Sequence, residues 1–598
     1  MSHIIQNGIN RLEDLFAINC FRIPQYQRAY SWIEDPHLEA FLEDLRQQVQ
    51  TQKKNPEKSY FLGTLLLHAE ELGRGRQVVN IVDGQQRMTT SVVFIATALA
   101  QHDSAKISIS NEKPALLKRN FIYDDATDSQ KFHTISEDGP FFRSMILRVA
   151  EGPCAEDSPS SRRLQNAKSF FENNVSHDEW EDLIQVLKTA KVMVYSVASA
   201  ADATQIFELQ NDRGKRLTNL EALKSYLMHC IYLYSPTQSA DDQLAALQTQ
   251  FSNIYRSVER IAEWRQAPDE NQLLSNHCAA YLGWTSAEYN DPKHLVKATI
   301  KKMHGEKVVP WIENFVGSLV QSFNTIEELF NSRDSLSEFS DLLLLGRMGS
   351  FWPLILKTWR SDLSTDKKNF LKGCRLLEVF TFRGYAIAGL RSDTALYTFL
   401  TTARDFSGDF YKLLKQLAEI SVEYDLEKRY LAGLDSTYFY NAEGRDALYL
   451  LWRYENYLRT QAGTKNSLLS WRDFDMPRSH GAKLSVEHVA AVSNELSDII
   501  VEWEERDPKP FHEVALNRLG NLVVDSISSN SSKGKRDFFL KHRSYSEKSI
   551  YLSQGELTNF LTNSDVLDWD VNAIRKRHTH LTDFARKAWH PDTYFTPS

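Results

Sequence analysis

Apolar residues change their period several times over positions 1–235. The segments CFRIPQY (20–26), SYFLGTLLLHA (59–69), QVVNIV (77–82) and LKTAKVMVYSVA (187–198) are short and rich in β-branched and aromatic residues, which is the strand pattern. Between them, PHLEAFLEDLRQQVQ (36–50) and MTTSVVFIATALAQ (88–101) carry apolar residues at helical spacing. Residues 203–234 predict two helices around the polar break NDRGKR, and Thr218 with Glu221 fits a capping box that opens the second.

Helical spacing dominates from 236 to 460, as in DLLLLGRMGSFWPLILKTW and RDALYLLWRYENYL. Beyond 461 the text changes again. SVEHVAAVSN reads as the end of a strand, EWEERDPKP as an acidic insertion, LNRLGNLVV as a turn and strand, and SSNSSKGKRDFF as the start of a helix. The expected fold is α+β, multidomain and mostly helical: an α/β module over 1–235, a helical connector over 236–460 and a third domain over 461–598.

Composition narrows the class. A chain of 598 residues exceeds one hydrophobic core, so several domains are expected. With 42% hydrophobic and 25% charged residues it reads as a soluble protein. Its apolar runs fall short of the roughly 20 residues a spanning helix needs, and MSHIIQNGINRLEDLF shows neither a basic leader nor a cleavage site. A cytoplasmic protein without a membrane partner is expected. Cys20, Cys154, Cys230, Cys278 and Cys374 form no C-x-x-C pair, which argues against a zinc ribbon or a disulfide framework. Any metal is then held by oxygen and nitrogen. The net charge of −8 gives no global sign of nucleic-acid binding, so basic patches are sought locally.

The first chemical signal is NIVDGQQRMTT (80–90), a strand that runs through Asp83-Gly84 into a helix. A helix start offers free N–H groups and partial positive charge to an anion. Gly84 permits close approach, Arg87 can fork onto phosphate oxygens, Gln85 and Gln86 can bond a base, sugar or water, and Asp83 can hold a divalent cation. A plain Asp-Gly turn beside a surface arginine is the competing reading, and no Walker-type phosphate loop is present. FRIPQYQRAYSW (21–32) adds aromatic faces and donors in Tyr26, Gln27 and Arg28, or else an amphipathic loop that buries its rings.

The second signal is Glu487-His488, followed by Asn521 and Asn530. Phosphodiester hydrolysis needs a base and a hard cation. His488 can be the base, and Glu487 and Asn530 can supply oxygen ligands to magnesium or manganese. Lys533, Lys535, Arg536, Lys541 and Arg543, with Arg575, Lys576, Arg577 and His578 further on, suit a phosphate backbone or a merely solvated face.

IPQYQRAYSW, FLGTLLL, IVDGQQRMTT and FELQNDRGKRLTNLEALKS, in this order, resemble the N-terminal ParB-like module of GmrSD-type modification-dependent restriction enzymes. The C-terminal pattern resembles the ββα-metal, or HNH, nuclease of the same family. The resemblance implies nucleotide triphosphate binding and hydrolysis centred on Asp83, Gly84, Gln85, Gln86 and Arg87. Tyr26, Gln27 and Arg28 lie close by, and Asn211, Arg213 and Gly214 contribute from the break. It makes His488 the general base, Glu487 and Asn530 the metal ligands, and Asn521 the asparagine that steadies the base loop. Position 491 is Ala where the family often has proline, which puts the loop geometry in doubt. The implied activity is cleavage of modified double-stranded DNA in antiviral defence, dependent on an NTP (ATP, GTP or UTP) and on Mg2+ or Mn2+, with a homodimer as candidate assembly. The alternative is a nucleotide-controlled DNA-binding module whose nuclease domain is weak or inactive.

Overall fold

The computed structural model describes residues 7–24, 27–71, 77–109, 113–150, 158–197, 218–236, 239–284, 290–440, 444–464, 467–490, 499–547, 549–562 and 567–595. By packing, the chain divides into two compact units, Met1–Cys278 with Ala287–Glu327, and Ala279–Ser286 with Glu328–Ser598. The helical stretch 236–460 is shared between them. The whole is mostly helical and α+β.

The first unit is built on a six-stranded mixed sheet of β1 (Gly8–Arg11), β2 (Phe21–Arg22), β3 (Phe61–Glu71), β4 (Gln77–Asp83), β5 (Phe132–His133) and β6 (Lys191–Val197), in spatial order β1-β6-β3-β4-β2-β5. β3 lies parallel to β6 and antiparallel to β4. The strand expected in CFRIPQY shrinks to two residues, since Pro24 has no N–H for a further rung. β4 runs directly into α1 (Gln85–Asp103), whose residues Met88 to Ala100 are all buried. A helix apolar on every side belongs inside a core. Each fully buried large apolar side chain there contributes about 1.5–3 kcal/mol, so the start of α1 is firmly anchored. The capping box forms as expected: Thr218 N donates to Glu221 Oε2 at 3.0 Å and Glu221 N to Thr218 Oγ1 at 3.2 Å, opening α2 (Asn219–Tyr234).

The second unit packs helices around two small antiparallel sheets. β7 (Leu484–His488) pairs with β10 (Leu522–Ser526), setting His488 opposite Leu522 and Glu487 opposite Val523. The acidic insertion forms a hairpin, β8 (Ile500–Glu504) and β9 (Asp507–Pro510). After β10 come α3 (Ile527–Lys533) and α4 (Phe538–Glu547), separated at Gly534. The sequence predicted one helix here. α5 (Val571–Ala588) packs behind the β7-β10 pair, where Arg577 donates to the carbonyls of Gly520 at 2.9 Å and Leu522 at 2.5 Å. No described helix is long and apolar enough to cross a membrane.

Candidate functional site

At the β4-α1 joint Gly84 has φ +93°, and a Cβ there would lie 2.4 Å from Leu65 Cδ2. Only glycine makes this turn without strain. Arg87 does not reach outward as expected. Its Nη1 donates to Leu62 O at 2.8 Å and its Nη2 to Thr64 O at 3.0 Å, so the guanidinium clasps β3 across Gly63. The β3-β4 ladder ends at Leu66, so Leu62 and Thr64 have no partner on β4, and the arginine supplies donors to their carbonyls. Gln86 is also committed: Ser31 N donates to its Oε1 at 2.9 Å, and its Nε2 to Ala29 O at 3.2 Å. Gln27 Nε2 donates to Val82 O at 2.8 Å. Arg87 and Gln86 therefore shape the joint, where the sequence leads one to expect them to face a ligand, and Gln27 braces Val82 while also lining the adjoining cavity.

Gly63 carries a cost that can be measured. Its φ is +115°, and a Cβ would fall 1.6 Å from Arg87 Nη1. Gly63→Ala is expected to destabilise the protein by about 2 kcal/mol through backbone strain and displacement of Arg87. Denaturant unfolding of the variant, with a midpoint equal to that of the parent, would refute this. A glycine inside a strand pattern is the signal that sequence reading passed over.

What faces inward at the joint is Asp83, Gln85 and Arg28. Burial raises the Asp83 pKa above the ordinary carboxylate value, against the pull of Arg87. Gln85 Oε1, Arg28 Nε, Glu270 Oε2 and Tyr255 OH are buried without hydrogen-bond partners. Arg28 lies 3.8 Å from Glu270, and Arg163 donates to Glu259 at 3.0 Å. Burial raises the pKa of both glutamates and pushes Lys224 down to about 8. Unsatisfied buried polar atoms cost roughly 1–3 kcal/mol each, and four in one region mark a place where a ligand's polar groups belong. The cavity of about 170 Å³ beside it is lined by Gln27, Ser160, Tyr255 and Glu259. Tyr26, Asn211, Arg213 and Gly214 lie outside the described residues.

In the second unit Asn521 is fully buried. Its Oδ1 accepts from Ala490 N at 2.8 Å and Trp569 Nε1 at 3.2 Å, and its Nδ2 donates to Leu516 O at 2.9 Å. It braces the segment that follows His488. Asn530 Nδ2 donates to Val486 O at 3.0 Å and Ser485 Oγ at 3.1 Å. Ser485 and Glu487 share one face of β7 by strand alternation, so Asn530 comes to the Glu487 side. Glu487 Oε1 meets Lys541 Nζ at 2.7 Å and Tyr545 OH at 3.1 Å. Burial raises the pKa of this carboxyl, and Lys541 works against the rise.

His488 has other neighbours. Its Nε2 lies 3.1 Å from Asn517 Oδ1, and its ring stands edge-on to Tyr440 at 4.9 Å. Donation from Nε2 to that amide oxygen leaves Nδ1 as the proton acceptor. Burial lowers the His488 pKa, which keeps the imidazole neutral near pH 7. The three side chains expected around one ion are thus gathered only in part. Asn530 bonds Ser485 and Val486 on the strand that carries Glu487, Glu487 itself bonds Lys541 and Tyr545, and the imidazole engages Asn517 and Tyr440. Lys541 links the two sides, since its Nζ also donates to His488 O at 2.8 Å. Nothing in the sequence marks Asn517, Tyr440, Lys541 and Tyr545 for these roles, because they come from segments that only the fold brings to β7.

The donor set suits a hard cation. Asn530 Oδ1 and the Glu487 carboxylate are the oxygen acceptors such a cation would use. Among the described residues no three or more His, Cys, Asp or Glu are grouped so as to hold a metal ion by themselves.

The basic patch needs correction. Lys533 and Lys541 are each 2% exposed. Lys533 pairs with Asp525 at 2.6 Å, and Lys541 with Glu487. Both are drawn in by buried carboxylates on the β7-β10 pair. Lys535, Arg536 and Arg543 remain on the surface, Arg543 paired with Glu547 at 2.8 Å. Arg577 and His578 are buried as well, so of the second cluster Lys576 alone stays fully outside.

No curated protein matches the chain. Two family descriptions do: the GmrSD restriction endonuclease N-terminal domain over residues 3–228, and the GmrSD restriction endonuclease C-terminal domain over residues 425–584. The first takes in the β4-α1 joint with Asp83, Gln85 and Arg28, and the second takes in Glu487, His488, Asn521 and Asn530. With both halves of that pairing present in order, the chain belongs to the GmrSD restriction endonucleases, DNA-cutting enzymes of defence.

Proposed function

We propose that this chain is an NTP- and divalent-metal-dependent endonuclease that cuts modified double-stranded DNA, with a ParB-like module in front and an HNH-like module behind. The docking of Asn530 onto the strand that carries Glu487, in an antiparallel strand pair followed by a helix, carries this reading. His488 Nδ1 draws the proton from the attacking water. Glu487 and Asn530 would hold magnesium or manganese, and the cation when bound supplies positive charge at the scissile phosphate. Asn521 keeps the strand end fixed, so the base does not drift. Lys535 and Arg536 contact phosphate without reading sequence.

We assign nucleotide binding to the front unit, at the unsatisfied Gln85 Oε1, Arg28 Nε and Tyr255 OH, with Asp83 at the same joint as Gln85. The test is NTP turnover and the NTP-induced rise in melting temperature. Gln85→Ala and Asp83→Ala are expected to lose both, by roughly tenfold or more in affinity for one charge-assisted contact, with the ligand-free melting temperature kept. Unchanged turnover in both variants would place the nucleotide elsewhere. Which of ATP, GTP and UTP is preferred follows from the same titration.

A second reading, a nucleotide-controlled DNA-binding protein with a slow nuclease, is favoured by one observation. Lys541 already neutralises Glu487 while the His488 imidazole is engaged by Asn517. Incubation with unmodified, hydroxymethylated, glucosylated and phosphorothioated DNA, each with NTP and Mg2+ or Mn2+, separates the two by whether cleavage or only retention is seen.

A further inference from the structure

The second unit holds a cavity of about 820 Å³, within the roughly 300–1,000 Å³ of small-molecule sites. Its wall is aromatic, with Trp452, Tyr457, Trp471, Phe584 and Tyr594. The Tyr457 and Phe584 rings lie 5.1 Å apart, and Tyr457 is 44% exposed. The floor is charged but settled. Asp341 accepts from Arg375 Nη2 at 2.8 Å and Arg453 Nη1 at 2.7 Å. Glu378, fully buried, accepts from Tyr449 OH and Trp589 Nε1, both at 2.7 Å. Glu378 lies behind the lining, and the two guanidinium groups are set against these two carboxylates.

Arg333, also lining the cavity, is not settled. It is 8% exposed, its guanidinium lies 3.7 Å from the centre of the Trp471 ring, and its Nε and Nη2 are buried with no hydrogen-bond partner. These two N–H groups share one edge of the guanidinium, the fork that matches two oxygens of a phosphate or carboxylate. Asp334, next in the chain, is already taken by Trp471 Nε1 at 2.9 Å and by Arg472. Burial lowers the Arg333 pKa to about 10, which still leaves it charged at neutral pH. Lys587 adds a further cation to the lining and Asp583 a carboxylate.

A simple anion would have no use for the aromatic wall, and an apolar ligand none for the fork. A ligand that combines a flat aromatic face with an anion satisfies both. We propose that this cavity binds a nucleobase with its phosphate, the phosphate on Arg333 and the base against Tyr457 and Phe584. A free mononucleotide and a nucleotide turned out of a DNA strand present the same chemistry. The proposal shares no residue with the nucleotide site assigned to the front unit and stands independently of it.

The experiment titrates the full chain and Arg333→Met against two probes, 2-aminopurine deoxyribonucleoside monophosphate and a DNA duplex containing a single 2-aminopurine. Affinity is read by fluorescence and stability by melting temperature. At least one probe is expected to bind Arg333→Met roughly tenfold or more weakly, the factor a charge-assisted hydrogen bond contributes. The ligand-free melting temperature should not fall, because an unsatisfied group has been removed. Loss with the monophosphate alone identifies a free nucleotide as the source, and loss with the duplex alone identifies an everted one. Equal affinity of parent and variant for both probes overturns the proposal. So does a fall in melting temperature with binding unaltered, which marks a purely structural arginine. Should Arg333→Met fail to fold, Tyr457→Leu on the exposed wall carries the same test and the same expected loss.

Discussion

Replacing His488 with alanine is expected to slow metal-dependent cleavage of modified DNA by roughly 10²–10⁴-fold, the contribution of a positioned general base. NTP turnover and DNA retention should survive. The expectation rests on the geometry of one ring: Nε2 is committed to Asn517, which makes Nδ1 the proton acceptor, and burial favours the neutral imidazole. A merely structural histidine would instead lower the melting temperature when removed. Full cleavage by His488→Ala would transfer the base role to another residue and end the HNH-like reading. The measurement is single-turnover cleavage, so that slow product release cannot mask the chemical step.

The second large effect concerns Lys541. Its ammonium is 2% exposed and meets Glu487 Oε1 at 2.7 Å, itself 3% exposed. Breaking a buried pair by removing one partner typically costs about 3–5 kcal/mol, because the remaining charge is stranded. Lys541→Met is therefore expected to lower stability by about that amount. Adding Glu487→Gln should recover much of it, since neither member of the pair is then charged and Tyr545 can still bond the amide. A double-mutant cycle in urea measures the coupling. Additive effects of the two substitutions would show that the pair is not the reason Lys541 is buried, and would weaken the account of how β7 is held.

These two residues also illustrate what could be read from the chain. His488 was legible because an acidic neighbour and two later asparagines form a pattern with a chemical purpose. Lys541 was read as one charge in a basic run, and a run of charges ordinarily sits on a surface. Nothing local indicates that Lys533 and Lys541 turn inward, since the carboxylates that draw them in, Asp525 and Glu487, stand 8 and 54 positions away. The same holds for Arg87. The joint where it sits was evident from apolar text running into Asp-Gly, but the carbonyls it serves belong to β3, a separate segment whose place beside β4 is a matter of sheet order.

Local sequence settled those features that depend on neighbours in the chain. The buried strand-to-helix joint at Gly84, the capping box at Thr218 and the helical run of the middle region follow from residue spacing and intrinsic backbone preference. Tertiary structure decided which polar groups are spent on the scaffold and which are left for a ligand. Gln86 and Arg87 are spent, whereas Gln85, Arg28 and Arg333 keep unpaired buried donors or acceptors. The reason is physical: hydrogen-bond satisfaction in a low-dielectric interior depends on long-range partners, and a one-dimensional pattern carries no record of them.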